Sequence, residues 1–215
     1  MSSDKELVPG FFQRVLGPVA NELGQLLSDH VRAYRTKNLL SISEKFDRIC
    51  DERGIRYTEI VPLALSIGLP LLNKASYQDD DYLQERWAHL IASEVDPEGN
   101  HIDGFSLDIS YVEIMHQMSK LDCEVLEFVV ENGIQGRKDG YTIPAPLHPE
   151  TIRDAFPGAP WHISLEKLTS LGCVMDDILL PLRKGLFYPL KSIIRPTIIG
   201  INFYITSSGK QLGLK

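Results

Sequence analysis

Apolar side chains recur at helical spacing in the middle of the chain. The clearest run has the i, i+4, i+7, i+8 spacing that places side chains on one face of a helix. This stripe consists of Leu83, Trp87, Leu90 and Ile91. The polar positions between them are expected to face water: Gln84, Glu85, Arg86 and His89. The pattern therefore predicts an amphipathic helix with Trp87 buried at its centre.

The residues from Ile60 to Leu72 are apolar nearly all round, which predicts a buried helix that packs against Trp87. This run is much shorter than the roughly 20 residues that span a bilayer. It therefore predicts a core helix, and no transmembrane segment is expected. Ser76 is predicted to be the N-cap of the following helix, because Asp79 three residues later completes a capping box.

Helical spacing also runs through the N-terminal part of the chain. Residues 25–53 contain no glycine or proline, which predicts one long helix or two consecutive ones, ended by Gly54. The basic residues within this stretch are expected to form a solvated face: Arg32, Arg35 and Lys37. Together, these patterns predict an N-terminal helical bundle over residues 1–95.

One stretch of this bundle resembles a known family. The run KASYQDDDYLQERWAHLIA, from Lys74 to Ala92, is similar to the central helix of the Abi-alpha family, which comprises abortive-infection proteins of bacteria. In that family a serine and an acidic cluster precede L-x-x-x-W-A-x-L-(L/I)-A. Leu16 to Gly24 and Met118 to Leu126 are further similar stretches. The resemblance implies phage defence in a bacterial cytoplasm, and it brings no agreed catalytic residues.

Turn-forming residues are dense from Asp96 to Gly104, which predicts a linker over residues 96–108. The acidic residues and the histidine in this stretch match no known ligand spacing, so a solvated loop is expected and no metal site.

The second half of the chain, residues 109–215, predicts a domain that is similar to a winged helix. Short helices are expected over residues 111–118, from Ser119 to Asn132, from Pro149 to Phe156 and from Trp161 to Leu171, with a loop over residues 133–148. Cys173 to Leu180 and Thr197 to Thr206 are rich in β-branched residues and predict a hairpin. The predicted fold class is thus mainly α, with an N-terminal helical bundle followed by a winged-helix-like (α+β) domain.

Charge is distributed unevenly in this acidic protein, whose formal net charge is −7. No acidic residue follows Asp177, whereas six basic residues do. The predicted wing, from Leu180 to Pro196, interleaves cations with apolar and aromatic side chains. Its candidate contact residues are Arg183, Lys184, Tyr188, Lys191 and Arg195. They suit nucleic acid phosphates, an anionic membrane surface or a partner protein, and a solvated basic rim also fits.

The third helix of the predicted winged helix is poorly suited to reading bases. Its outward positions are expected to be Ser164, Glu166, Lys167, Thr169 and Ser170, so one acid cancels the one base.

Candidate catalytic chemistry is sparse. No nucleophile motif, phosphate-binding glycine loop or H-E-x-x-H occurs, and the six histidines are scattered singly. Three cysteines without a C-x-x-C predict reduced thiols in the cytoplasm. We therefore expect no enzyme activity, no cofactor and no metal.

Two functional hypotheses remain open. The first is a non-enzymatic phage-defence protein that acts through protein or membrane contacts, with an unknown protein partner or an oligomer. The second is a winged-helix regulator that binds nucleic acid.

Overall fold

In a computed structural model, the chain is described over residues 10–11, 13–17, 29–96, 109–138, 141–144, 146–178 and 192–209. These residues are mainly helical, with two small antiparallel strand pairs, one of them near the C-terminus. The chain forms two units, one of residues 1–117 with 206–209 and the other of residues 118–205 with 210–215. The predicted linker lies almost wholly outside the described residues, so the domain boundaries stay a prediction.

The first unit is helical. It contains four helices with described bounds, which we number α1 (Asp29–Arg53), α2 (Leu65–Ala75), α3 (Asp81–Val95) and α4 (Ile109–Gln117). Residues 10–11 and 13–16 are helical as well.

The second unit contains both strand pairs. Its elements are α5 (Lys120–Asn132), β1 (Ile134–Lys138), β2 (Tyr141–Pro144), α6 (Pro149–Ala155), α7 (Trp161–Ser170), β3 (Val174–Ile178) and β4 (Ser192–Pro196). The last helix, α8 (Ile198–Ser208), begins in this unit, and its final residues from Thr206 belong to the first.

The core of the first unit lies where α1 packs along α3. The predicted stripe of α3 is buried, and Trp87 at its centre is only 1% exposed. The facing side of α1 buries residues at helical spacing: Leu39, Ile42, Phe46 and Ile49. Helix α1 ends at Gly54, whose positive φ of 72° suits the residue after a helix C-terminus. Of the two predicted alternatives the structure has one continuous helix, described from Asp29, and its predicted end at Gly54 is confirmed.

The polar side of α3 is not solvated as predicted. Gln84 and Arg86 are buried. Gln84 accepts a hydrogen bond from Ser41 Oγ at 2.6 Å and donates one to the carbonyl of Gln78 at 2.8 Å. The prediction was wrong for Gln84 because α1 covers its side of α3, so its amide pairs across the helix interface.

The predicted buried helix from Ile60 to Leu72 is also corrected. Residues 60–64 form neither helix nor strand, and the helix begins only at Leu65. The backbone N–H groups of Val61 and Leu63 donate to the carbonyls of Val95 and Val15, at 3.0 and 2.8 Å. Pro62 accounts for the difference, because it lacks an N–H and disfavours helical geometry in the residue before it.

The cap of α3 is not Ser76 but Asp80, whose Oδ1 accepts the N–H of Leu83 at 2.9 Å. Ser76 is instead the buried C-cap of α2. Two capping serine or aspartate positions four residues apart compete for the same helix start. The chain uses the later position because Ser76 is taken up by contacts with α1.

The helices of the second unit follow the sequence closely. The predicted capping box of α5 is present, with Ser119 and Asp122 each binding the other's backbone N–H. Helix α6 has a proline in its first turn, as predicted. Helix α7 packs on α5, and α6 contacts α5 through the edge-to-face rings of Phe128 and Phe156, 5.7 Å apart.

Residues 133–148 are not wholly a loop, because β1 and β2 form an antiparallel hairpin there. Its register pairs Arg137 with Thr142, and it shifts between Ile134 and Gly136. The glycines of this stretch pointed to a loop in the sequence.

The predicted strand from Thr197 to Thr206 is wrong, because these residues form α8. Thr197 starts the helix: its Oγ1 accepts the N–H of Gly200 at 3.0 Å and donates to the carbonyl of Gly172 at 2.5 Å. Most residues of α8 are buried, including Phe203 and Tyr204 at 1% exposure each. A helix buried on most sides shows no polar face, so its β-branched residues resembled a strand.

Candidate interaction surface

The hairpin that carries the candidate contact residues is framed by β3 and β4. These strands are antiparallel, with Ile178 opposite Ser192 at the end next to residues 179–191 and Val174 opposite Pro196 at the other end. Leu147 forms an isolated antiparallel bridge to β4. Its backbone N–H donates to the carbonyl of Ile194 at 2.9 Å, and the N–H of Ile194 donates to the carbonyl of Leu147 at 2.8 Å.

Only one of the five candidate contact residues lies within the described residues. Arg195 is half-buried on β4, opposite Met175 of β3. Met175 is 51% exposed, so an apolar side chain faces water on the neighbouring strand. The remaining candidates lie outside the described residues: Arg183, Lys184, Tyr188 and Lys191.

The outer face of α7 is defined here by its exposed side chains: His162, Ile163, Glu166, Thr169 and Ser170. Ile163 is the most prominent, at 58% exposure. Ser164, predicted to point outward, is buried at 3% exposure. Ser164 precedes Leu165, which belongs to the apolar stripe of α7. Helix α5 covers this serine as well as the stripe.

Lys167 is the only lysine or arginine of α7, and it is held by a carboxylate. Its Nζ lies 2.7 Å from Oδ2 of Asp122, whose side chain is 4% exposed. The same oxygen accepts the Ser119 hydroxyl at 2.7 Å and the Ser119 N–H at 2.7 Å. Burial alone would raise the pKa of Asp122, but its hydrogen bonds with Lys167, Ser164 and Ser119 outweigh burial and lower it. The carboxylate therefore stays ionised and neutralises Lys167.

The thiols of the described chain are unsuited to nucleophilic chemistry. Cys50, Cys123 and Cys173 are all reduced and buried. Burial raises the pKa of Cys50 and of Cys173 to about 12, so the reactive thiolate is scarce at neutral pH. Within the described ranges, no three histidine, cysteine or acidic side chains are arranged to hold a metal ion.

A second titratable cluster, missed from the sequence, lies beside the end of α1. Arg53 donates through Nη2 to Nδ1 of His89 at 3.0 Å, and through Nη1 to the hydroxyl of Ser93 at 3.0 Å. Burial, reinforced by Arg53 and other arginines, lowers the pKa of His89 to about 4. His89 is thus neutral and accepts a hydrogen bond, a role that its position on a predicted solvated face did not reveal.

We expect His89 to make the protein lose stability in mild acid. Between about pH 6.5 and 4 the unfolded chain binds a proton at this histidine and the folded chain does not. Stability is therefore complete above the unfolded pKa and falls as the pH drops towards 4. His89→Gln keeps an acceptor for Arg53 and should flatten this part of the profile, measured by urea unfolding at several pH values.

The exposed His116 on α4 offers a matched control, and His116→Gln should leave the profile as in the unmodified protein. An identical loss of stability in His89→Gln and the unmodified chain would show that His89 is not responsible.

Comparison with known proteins supplies the family. The abortive infection alpha family matches residues 35–206, which include most of both units. The chain belongs to the abortive infection alpha family. No curated protein and no solved structure matches it.

The match to this family includes two of the three stretches on which the resemblance rested. Lys74 to Ala92 and Met118 to Leu126 lie within residues 35–206, whereas Leu16 to Gly24 precedes them. The match also extends through β3, β4 and most of α8. Family membership is therefore carried by both units and not by the helical stripe alone.

Among the described residues, no helix combines the length and apolar character needed to cross a membrane.

Proposed function

We propose that this protein is a non-enzymatic phage-defence protein that works by binding another protein in the bacterial cytoplasm. Membership of the abortive infection alpha family supports the defence role. In this proposal the second unit is the binding module, and the wing with Arg195 carries the contact. The buried, reduced cysteines are typical of a cytosolic protein and support the placement.

The order of elements supports a winged-helix-like interpretation of the second unit. Helices α5, α6 and α7 are followed by the β3–β4 hairpin, and Leu147 supplies a short third strand between α5 and α6. Two features depart from the plain arrangement, namely the additional β1–β2 hairpin and the terminal helix α8. Such folds serve many functions, so the choice of partner depends on the surface chemistry.

The observation that carries the proposal is the chemistry of α7. A helix that enters the major groove needs cationic or amide side chains free to reach base edges. The outer face of α7 offers an isoleucine and a glutamate, and Lys167 is neutralised by Asp122. An exposed isoleucine beside a glutamate suits a protein surface better than a phosphate backbone.

The main alternative, a regulator that binds nucleic acid, is favoured by the wing. Residues 179–195 contain four basic and no acidic side chains. Such a segment suits phosphates, and it also suits an anionic membrane surface. Against this alternative, the whole chain is acidic, with a net charge of −7, and would repel a polyanion away from the wing.

Nucleic acid binding should be weak in the unmodified protein. We expect little retention of DNA or RNA near 0.15 M salt, measured by filter binding across a series of salt concentrations. If the alternative holds, the logarithm of affinity falls steeply with that of salt, and each wing cation replaced by serine lowers the slope by about one. The replaced residues are Arg183, Lys184, Lys191 and Arg195.

A control variant in which four other cations are replaced by serine distinguishes the effect of the wing from the effect of the lower net charge. These exposed residues are Lys37, Arg56, Lys120 and Arg153. Tight, sequence-selective binding by the unmodified protein, lost in the wing variant and kept in this control, would make the nucleic-acid regulator the leading function.

A further inference from the structure

Arg35 of α1 is a buried cation, although the sequence placed it on a solvated face. Its side chain is only 6% exposed. Nε donates to Ser76 Oγ at 2.6 Å, and Nη2 donates to the side-chain oxygen of Asn73 at 2.5 Å and to its carbonyl at 3.4 Å. Asn38 of α1 also binds the C-terminus of α2, since its side-chain amide donates to the carbonyl of Ser76 at 3.0 Å. The guanidinium is therefore held in one orientation.

None of the groups that hold Arg35 carries a charge, and none of the described carboxylates forms an ion pair with it. The C-terminus of α2 offsets part of its charge, but a helix end is equivalent to only about half an elementary charge. A buried cation with incomplete compensation costs free energy. A bound anion would supply the missing negative charge.

Three acidic residues follow Ser76 along the chain. Asp79 is exposed and forms no ion pair with Arg35, and the other two are bound elsewhere. The carboxylate of Asp80 caps α3 through the N–H of Leu83. Asp81 accepts from Lys45 Nζ at 2.7 Å. The cation on the other side, Lys74, is bound to Glu113. Of the charged groups around Asn73 and Ser76, the guanidinium of Arg35 is thus the cation that can bind a ligand.

The geometry leaves one edge of the guanidinium available. Nη1 has no acceptor among the residues that the structure describes, since the three bonds use Nε and Nη2. Cζ of Arg35 lies 4.4 Å from the centroid of the Tyr77 ring, so one face of the guanidinium stacks on this ring. Tyr77 is itself 51% exposed. Asn73 is exposed, and its amide nitrogen adjoins the oxygen that accepts from Nη2, so it is a second donor close to the guanidinium.

We propose that Arg35, Asn73 and Tyr77 form a binding site for an oxyanion, the phosphate or carboxylate group of a small ligand. A fixed guanidinium N–H group beside an amide donor can bind two oxygens of a carboxylate or of a phosphate group. The ligand adds the negative charge that the surrounding residues lack. This inference concerns the first unit and does not depend on the partner of the wing.

The test compares the unmodified protein with Asn73→Asp, in which a carboxylate replaces the amide that already binds Arg35. Melting temperature is followed against sodium phosphate and, separately, sodium acetate, with sodium chloride holding ionic strength constant. We expect one of these anions to raise the melting temperature of the unmodified protein saturably, by about 3 °C. The anion that acts identifies the ligand as a phosphate or a carboxylate.

Asn73→Asp should lose the saturable shift, because its own carboxylate occupies the guanidinium. Asn132→Asp, the same change at an exposed site on α5, should keep it and controls for general salt effects. Absence of a saturable shift with both anions in the unmodified protein would overturn the proposal, and so would an undiminished shift in Asn73→Asp. Arg35 would then serve only to cap α2.

Discussion

Replacing Trp87 with alanine is expected to lower the free energy of unfolding by about 3–5 kcal/mol, the range for removing a large side chain from a core. Trp87 is 1% exposed at the centre of the α3 stripe, on the helix that packs most extensively against α1. No smaller neighbour can fill the space of an indole without moving a helix, so the cavity adds to the lost burial. Urea unfolding followed by circular dichroism measures the effect.

Tyr34→Ala is the matched control, since it truncates an aromatic side chain that is 46% exposed on α1. This change should cost well under 1 kcal/mol, as surface substitutions usually do. Equal stabilities for Trp87→Ala and the unmodified protein would mean that the core of the first unit lies elsewhere.

Replacing Gly200 with alanine is expected to cost about 3 kcal/mol, at the upper end of the range for overpacking. A Cβ at this position would lie 2.0 Å from the carbonyl oxygen of Cys173. That neighbour is backbone and not a flexible side chain, so α8 must move away from the turn between α7 and β3. The hydrogen bond of the Gly200 N–H to Thr197 would be strained at the same time. The measurement is again the free energy of unfolding.

Gly10→Ala controls for the added methyl group itself. Gly10 is helical and has no atom within 4 Å of the position of a Cβ, so alanine should be neutral or slightly stabilising there. If Gly200→Ala is as stable as Gly10→Ala, α8 does not pack against Cys173 in solution.

Much of the helical structure was predictable because local signals and burial agree. The α3 stripe, the end of α1 at Gly54 and the capping box of Ser119 with Asp122 all lie where the sequence placed them. Each depends on residues within a few positions of one another, which a periodic pattern or a cap detects directly.

The errors arise where a distant contact decides the outcome. Residues 60–64 are not helical, and the N–H groups of Val61 and Leu63 bond to carbonyls far along the chain. Ser76 is a favourable N-cap residue by its sequence context, yet its hydroxyl accepts a hydrogen bond from Arg35 of α1. The helix α8 was mistaken for a strand because burial on most sides removes the polar face that marks a helical period.

The candidate surface was predictable in its charge but not in its details. The sequence showed that α7 has one acid and one base, which already argued against base reading. Its structural reason, the bond of Lys167 to the buried Asp122, joins residues 45 positions apart and leaves no trace in the local pattern. Burial of Arg35 was invisible for the same reason, because its hydrogen-bond partners on α2 are 38 to 41 positions away.

Protection of cells against phage by the wing variant tests the central claim most directly. The quadruple serine variant at Arg183, Lys184, Lys191 and Arg195 is compared with the control at Lys37, Arg56, Lys120 and Arg153, with both expressed to equal levels. Melting temperatures close to that of the unmodified protein establish that both variants are folded. We predict that the wing variant loses protection and the control keeps it, while the unmodified protein retains no nucleic acid at physiological salt. Full protection by a folded wing variant would contradict the account.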